Sequence, residues 1–240
     1  MLLPQLISAG AGGLAAVAAV SAYAGLSYES QWFGPSLVSP PEPHQFALTF
    51  DDGPNPAATP RLLEILARAN VRATFFLIGD YVLREPNLTR EIAAAGHAIG
   101  NHTMHHLWLP RHSNAVIREE MTACHHALAD TLGAPVKLFR PPHGARRPVV
   151  FRIAGELGLE VTQWNLIVGD WMNRRPEALL RSIERGMARN RRRRRGTNLV
   201  LHDGSQHDPA ADRSATLQAV KALLDHTPEG TRFVTPPCWR

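Results

Sequence analysis

Short apolar runs alternate with amphipathic helical patterns about seven times along this chain, and that alternation limits the folds open to it more than any other feature. The runs are residues 46–50, 73–78, 98–101, 137–139, 160–164, 198–201 and 232–235, each rich in aliphatic or aromatic side chains, as buried strands are. Between them lie helix candidates. One opens at Pro60 with Leu62, Leu63, Ile65 and Leu66 on one face; the others are 88–95, 114–132, 147–157, 176–189 and 213–225. Gly96, Gly133 and Gly158 follow three of them, as helix C-caps do. Parallel strands need long crossovers, so this rhythm implies an α/β parallel sheet. An open doubly wound sheet and a closed barrel both satisfy the count. The placement of polar residues favours a barrel-type active face: Asp51-Asp52, His102, Arg140 and His202 all fall just after predicted strands, where barrels carry their catalytic groups.

At 240 residues, 44% hydrophobic and 20% charged, the chain suffices for one substantial domain with a full core. Two stretches precede it. Residues 2–28 contain no charged side chain, and a membrane span needs about 20 apolar residues. Residues 1–28 therefore read as a membrane anchor or an export signal, with Ala22-Tyr23-Ala24 resembling a cleavage site. No Lys or Arg precedes Arg61, so the usual positive flank is missing, and a soluble helix packed on the domain is the alternative. Residues 29–43, with Gly34-Pro35 and Ser39-Pro40-Pro41-Glu42-Pro43, read as a linker, and residues 44–240 as the domain. The expected location is membrane-anchored or exported, outside the cytoplasm.

The net charge of +5 owes much to the arginines between Arg189 and Arg195. Such a run is ordinarily a solvated loop or a frayed helix end; contact with anionic lipid or an anionic wall polymer is the functional alternative. No aromatic stacking platform is interleaved with it, so nucleic acid is not an expected partner. Cys124 and Cys238 form no CxxC pair; one disulfide and two separate thiols both stay open.

Five clusters carry chemistry. Thr49-Phe50-Asp51-Asp52-Gly53-Pro54 sets two carboxylates side by side at a strand end, an arrangement that is costly without a positive partner. Alone, the same residues read equally well as a polar turn. His102 and His106 in Asn101-His102-Thr103-Met104-His105-His106 are four apart, a spacing that lets both imidazoles reach one ion from a helical turn. With a carboxylate they leave open positions for water and substrate, the pattern of a catalytic metal site. Twelve histidines make chance pairs common, and His125-His126 reads as helix surface or packing. Phe139-Arg140-Pro141-Pro142-His143-Gly144 fixes the backbone after a strand and offers Arg140 to a carboxylate. Gly169-Asp170-Trp171 places an acid beside a large aromatic, and Leu199-Val200-Leu201-His202-Asp203-Gly204 ends an apolar strand in a histidine.

In this order the five clusters resemble the NodB-type polysaccharide deacetylases, carbohydrate esterase family 4, over roughly residues 46–234. The resemblance implies an incomplete (β/α)7 barrel and a hydrolase that removes N-acetyl groups from N-acetylglucosamine-containing oligomers or polymers such as chitin oligomers or peptidoglycan. It implies that Asp52, His102 and His106 bind a divalent metal ion, usually zinc and sometimes cobalt. It makes Asp51 the general base oriented by Arg140, and His202 the general acid tuned by Asp170. Trp171 and Val200 would shape the acetyl pocket, and His143 would contribute at the substrate side with its backbone N–H. The chain departs from the family with His143 where Tyr is usual, Val200 where Leu or Ile is commoner, and Asn165 where many relatives have Asp; no ligand, acid or base is lost. An O-acetyl esterase on xylan-like polysaccharide shares these motifs, and an inactive carbohydrate-binding or membrane-scaffold protein is the alternative of another class.

Overall fold

The computed structural model describes residues 19–172, 174–236 and 239. Eight parallel strands form one sheet: β1 (Gln45–Gly53), β2 (Thr74–Leu77), β3 (Ala98–Asn101), β4 (Leu138–Phe139), β5 (Glu160–Val161), β6 (Leu166–Ile167), β7 (Thr197–His202) and β8 (Arg232–Phe233). Their order is β5-β4-β3-β2-β1-β7-β6, with β8 paired to the start of β1. The sheet is curled into a half barrel whose edge strands are β5 and β6. Among the described residues after β1, seven α-helices accompany it: α1 (Thr59–Arg68), α2 (Gly79–Arg84), α3 (Pro86–Ala94), α4 (Asn114–Leu132), α5 (Pro148–Glu156), α6 (Pro176–Arg192) and α7 (Ser214–Asp225).

The central strand β1 is buried along its whole length. Phe46, Leu48 and Phe50 pack with Leu62 and Leu66 of α1 and with Leu217 and Val220 of α7 in one contiguous core. Burial of one such side chain stabilises the fold by about 1.5–3 kcal/mol. Helix α4 starts under a Ser113 cap, whose hydroxyl accepts the Val116 N–H, and ends at Gly133 with φ 72°. Gly96 and Gly158 also take left-handed φ, as their positions after helices require.

The expected run at 160–164 is cut short, and a strand not expected from sequence follows it. β5 ends at Val161, the chain crosses the gap in the barrel, and β6 begins at Leu166 without an intervening helix. Asn165 makes the crossing possible: its N–H reaches the Asn198 carbonyl, and its side-chain oxygen accepts the Asn198 N–H. Residues 29–43 do not run free. Leu37 bridges Thr162 in parallel register and covers the β5 edge. Arg146, buried, donates to the carbonyls of Ser27 and Ser30, so the chain is docked on the barrel from about residue 24 onward. Residues 19–26 are helical, and among the described residues no helix is long and apolar enough to cross a membrane. Residues 1–18 of the expected anchor, and Cys238, lie outside the described residues. Cys124 is a buried free thiol. The arginine run continues α6 through Arg192 and then leaves it exposed, and His125 packs inward while His126 faces solvent.

Candidate active site

Successive side chains of a strand point to opposite faces, so Asp51 and Asp52 at the end of β1 ought to diverge. They do not. The register against β2 shifts between Asp51 and Gly53, and Asp52 adopts φ 69°. This irregularity swings both carboxylates into one cavity.

His102 and His106 converge by a different route from the expected helical turn. They sit on an irregular loop after β3, with left-handed φ of 67° at Thr103 and 57° at His106. Three groups hold this loop. The Asn101 side-chain oxygen accepts the Thr103 N–H at 2.8 Å, and the Thr103 hydroxyl accepts the His106 N–H at 3.0 Å. The buried Glu120 carboxylate of α4 accepts the His105 backbone N–H at 2.8 Å and bonds its ring Nδ1 at 2.7 Å.

One oxygen of Asp52, Oδ1, lies 3.4 Å from His102 Nε2 and 3.1 Å from His106 Nε2. The three donor atoms fall within 4.8 Å of one another, and Asp52 Oδ1 is a buried oxygen without a hydrogen-bond partner. The remaining ring nitrogens are engaged: His102 Nδ1 with the Arg140 carbonyl at 2.7 Å, His106 Nδ1 with the side-chain oxygen of Gln206. Those oxygens only accept, so each ring carries a proton on Nδ1, which leaves Nε2 as the atom each presents to the common point. Burial works to raise the Asp52 carboxyl, but hydrogen bonds from the His102 and His106 rings and the charge of His106 outweigh it and hold the group well below the ordinary carboxylate value; Asp52 in turn raises His106 against its own burial. An anionic carboxylate, two tautomer-fixed imidazoles and an orphaned buried oxygen fit a divalent cation.

Asp51 stands beside this cluster. Its Oδ1 accepts Arg140 Nη1–H at 2.6 Å, and its Oδ2 is 3.8 Å from His102 Nε2. Arg140 is fully buried, with Nη1 also 2.8 Å from Thr49 Oγ1, Nη2 bonded to the Gln163 carbonyl at 2.9 Å, and the guanidinium 4.1 Å above the Phe76 ring. It meets Asp51 through one nitrogen, leaving the outer oxygen Oδ2 free for the cavity.

His202 ends β7 directly opposite Asp51 in register. Asp170 accepts its backbone N–H at 2.8 Å and pairs with its ring Nδ1 at 2.9 Å, while Thr216 of α7 donates to Asp170 at 3.1 Å. Burial pushes the imidazole down, but the Asp170 carboxylate outweighs it and lifts His202 to about 9. His202 is therefore protonated at neutral pH.

Trp171 lies edge-on to His202 at 5.0 Å and is exposed; Val200 is buried against the cavity. The His143 ring stacks on Trp108 at 5.3 Å and meets His106 edge-on at 4.7 Å. Burial and the neighbouring His106 and His102 push it to about 4, so it is neutral. Its backbone takes φ 56°. The N–H groups of Gly144 and Ala145 are engaged by the Pro141 and Pro142 carbonyls, which leaves that of His143 available. Gly144 also has φ 68°, and a Cβ there would stand 2.7 Å from the Trp164 ring.

Eight of the ten residues expected from sequence line one cavity of about 340 Å³: Asp51, Asp52, His102, His106, His143, Trp171, Val200 and His202. Arg140 and Asp170 stand behind its wall. A family model for polysaccharide deacetylase matches residues 39–162. The chain belongs to the polysaccharide deacetylase family. It is 35% identical to a peptidoglycan-N-acetylglucosamine deacetylase of Bacillus cereus over 79% of this chain and 84% of that relative. It is 34% identical to a chitooligosaccharide deacetylase of a Bradyrhizobium species over 70% and 74%. The solved Bc1960 peptidoglycan N-acetylglucosamine deacetylase superposes with TM-score 0.76 at 28% identity, covering 85% of this chain and 92% of that one.

In this polysaccharide deacetylase the cavity has further walls that sequence reasoning left out: Trp164, Ile167, Ser205, Gln206, His207 and Arg213. Residues 205–207 follow the His202 motif so closely that they could have been included. Asp203, the last acid of that motif, serves the backbone. It is buried, lifted to about 7 by that burial, and bonded by the Thr59 hydroxyl, and its carbonyl accepts the Asn55 amide at 2.9 Å.

Proposed function

We propose that this deacetylase is a metal-dependent hydrolase that removes N-acetyl groups from N-acetylglucosamine-containing oligo- or polysaccharide outside the cytoplasm. The observation that carries this reading is the placement of a charge-held carboxylate, Asp51, beside the Asp52, His102 and His106 cluster. Those three residues would hold the ion, which we assign as zinc, with cobalt a competent substitute. When bound, a divalent cation supplies Lewis acidity to the acetyl carbonyl and acidifies water.

The chain's own groups supply the rest. Asp51, fixed by Arg140, accepts the proton of the attacking water as its oxygen bonds to the acetyl carbon. The His143 N–H is placed to bond the acetyl oxygen as negative charge develops on it. An amine does not leave as an anion, so the breaking C–N bond needs a proton donor. His202, protonated at neutral pH through Asp170, gives that proton to the sugar nitrogen, and acetate and a free amine result. Val200 and Trp171 enclose the acetyl methyl. The need for a charged acid favours amide over ester substrates.

The location outside the cytoplasm is supported by the charge-free stretch 2–28 and by relatives whose names specify peptidoglycan. Mass spectrometry of the mature N-terminus separates a cleaved signal from a retained anchor.

The test is acetate release from chitooligosaccharides, peptidoglycan and acetylxylan after chelation, with zinc or cobalt returned. Release from the N-acetylated glycans only when metal is returned is the expected result. Release from acetylxylan alone would make the protein an O-acetyl esterase, and no release from any would make it a binding or scaffold protein.

A further inference from the structure

A second concavity opens next to the catalytic cavity, at the free edge of the sheet. Its volume is about 530 Å³. Its floor is the edge strand β6 with Val168, and its wall is the outer face of α6. Gly186 allows that close approach, since a Cβ there would stand 2.3 Å from Leu166.

Four arginines line it: Arg174, Arg185, Arg189 and Arg192. The last three repeat at helical spacing on one face of α6 and are exposed. None of the three has an acidic ion-pair partner among the described residues, and no acidic side chain lines the groove. Arg174 is committed to the groove by bonds to the Val168 carbonyl and the Ser182 hydroxyl. Unpaired like charges along one groove repel one another, so the arrangement is at its best only with an anion present.

The groove adjoins the catalytic cavity: Ile167, partly exposed on β6, lines both. An anion in the groove can therefore belong to the same chain as the acetyl group in the cavity. We propose that α6 and β6 form an anion-binding subsite, which selects an N-acetylated glycan whose neighbouring units carry carboxylates over a neutral one. This rests on the deacetylase reading and narrows its substrate class. Arg185, Arg189 and Arg192 are specificity-determining residues that act through charge, away from the reacting atoms.

The experiment uses peptidoglycan strands with free carboxylates, the same strands with those carboxylates amidated, and an Arg185→Gln/Arg189→Gln/Arg192→Gln variant. Wild-type kcat/KM is expected to favour the carboxylate form by about tenfold, the sum of a few exposed charge pairs. That preference should shrink as salt rises from roughly 50 to 500 mM, because the Debye length falls to a few ångströms. In the variant the ratio should fall to about one, mainly through KM. A wild-type ratio near one, with the amidated strands still deacetylated, overturns the subsite and leaves the deacetylase reading standing. Failure of wild type to release acetate from either form overturns the reading and the subsite with it. A variant that keeps the wild-type ratio but no longer sediments with anionic phospholipid vesicles assigns the arginines to a membrane surface and overturns the proposal.

Discussion

An Asp51→Asn enzyme is expected to release acetate about a thousandfold more slowly than wild type while still taking up its metal ion. Asparagine keeps the shape of the side chain and removes its capacity to take a proton, and a positioned general base contributes on the order of 10²–10⁴ in rate. The substitution also leaves Arg140 without its anion in a fully buried place. Breaking a buried pair costs about 3–5 kcal/mol, here reduced by the bonds from Arg140 to Thr49 and to the Gln163 carbonyl. Rates should therefore be read well below the unfolding transition of the variant. Single-turnover acetate release together with ion content makes the check. A variant that stays folded and metal-loaded with near wild-type rate would remove Asp51 from the base position.

The second large effect belongs to pH. His202 sits at about 9 because the Asp170 carboxylate outweighs burial. An acid is active while protonated, so kcat/KM should hold up to about pH 9 and fall above it. In Asp170→Asn the largest upward pull is gone, burial is opposed only by the weaker pull of Asp52 and Asp51, and the upper limb should move down toward the ordinary histidine value of about 6.5. At pH 8.5 that removes about two orders of magnitude of protonated acid. A merely structural role for Asp170 would lower the rate at every pH and leave the limb in place. The pH profile of kcat/KM for the two enzymes distinguishes these outcomes.

How far the sequence carries varies from element to element, for physical reasons. α4 is read to its end residues because a serine cap, a long periodic pattern and a left-handed glycine all mark it. α2 escapes because six residues are too few to show a period. The run expected at 160–164 shrinks to β5, and the two-residue β6 beyond it, too short to stand out in sequence, begins where Asn165 bonds across to β7. In the site, residue identity and order suffice to single out Asp52, His102 and His106 as candidate metal ligands, but not how they meet. Convergence of Asp51 with Asp52 depends on a strand irregularity, and that of His102 with His106 on two left-handed residues. Neither leaves a mark in spacing, and the helical turn expected from the four-residue interval is absent. Trp164 reads as the end of a strand, yet it forms cavity wall against Gly144 and stacks with Tyr28 at 5.8 Å. Gln206 fixes the His106 ring from 100 residues away, a relation only the folded chain displays.

The hydrolase reading depends on the cluster of Asp52, His102 and His106 taking up a cation. Calorimetric titration of zinc into chelator-stripped protein tests that most directly. A single tight site per chain, lost in Asp52→Ala, is the predicted result. A folded wild-type protein that takes up no ion, or an Asp52→Ala variant that binds zinc as wild type does, would contradict it.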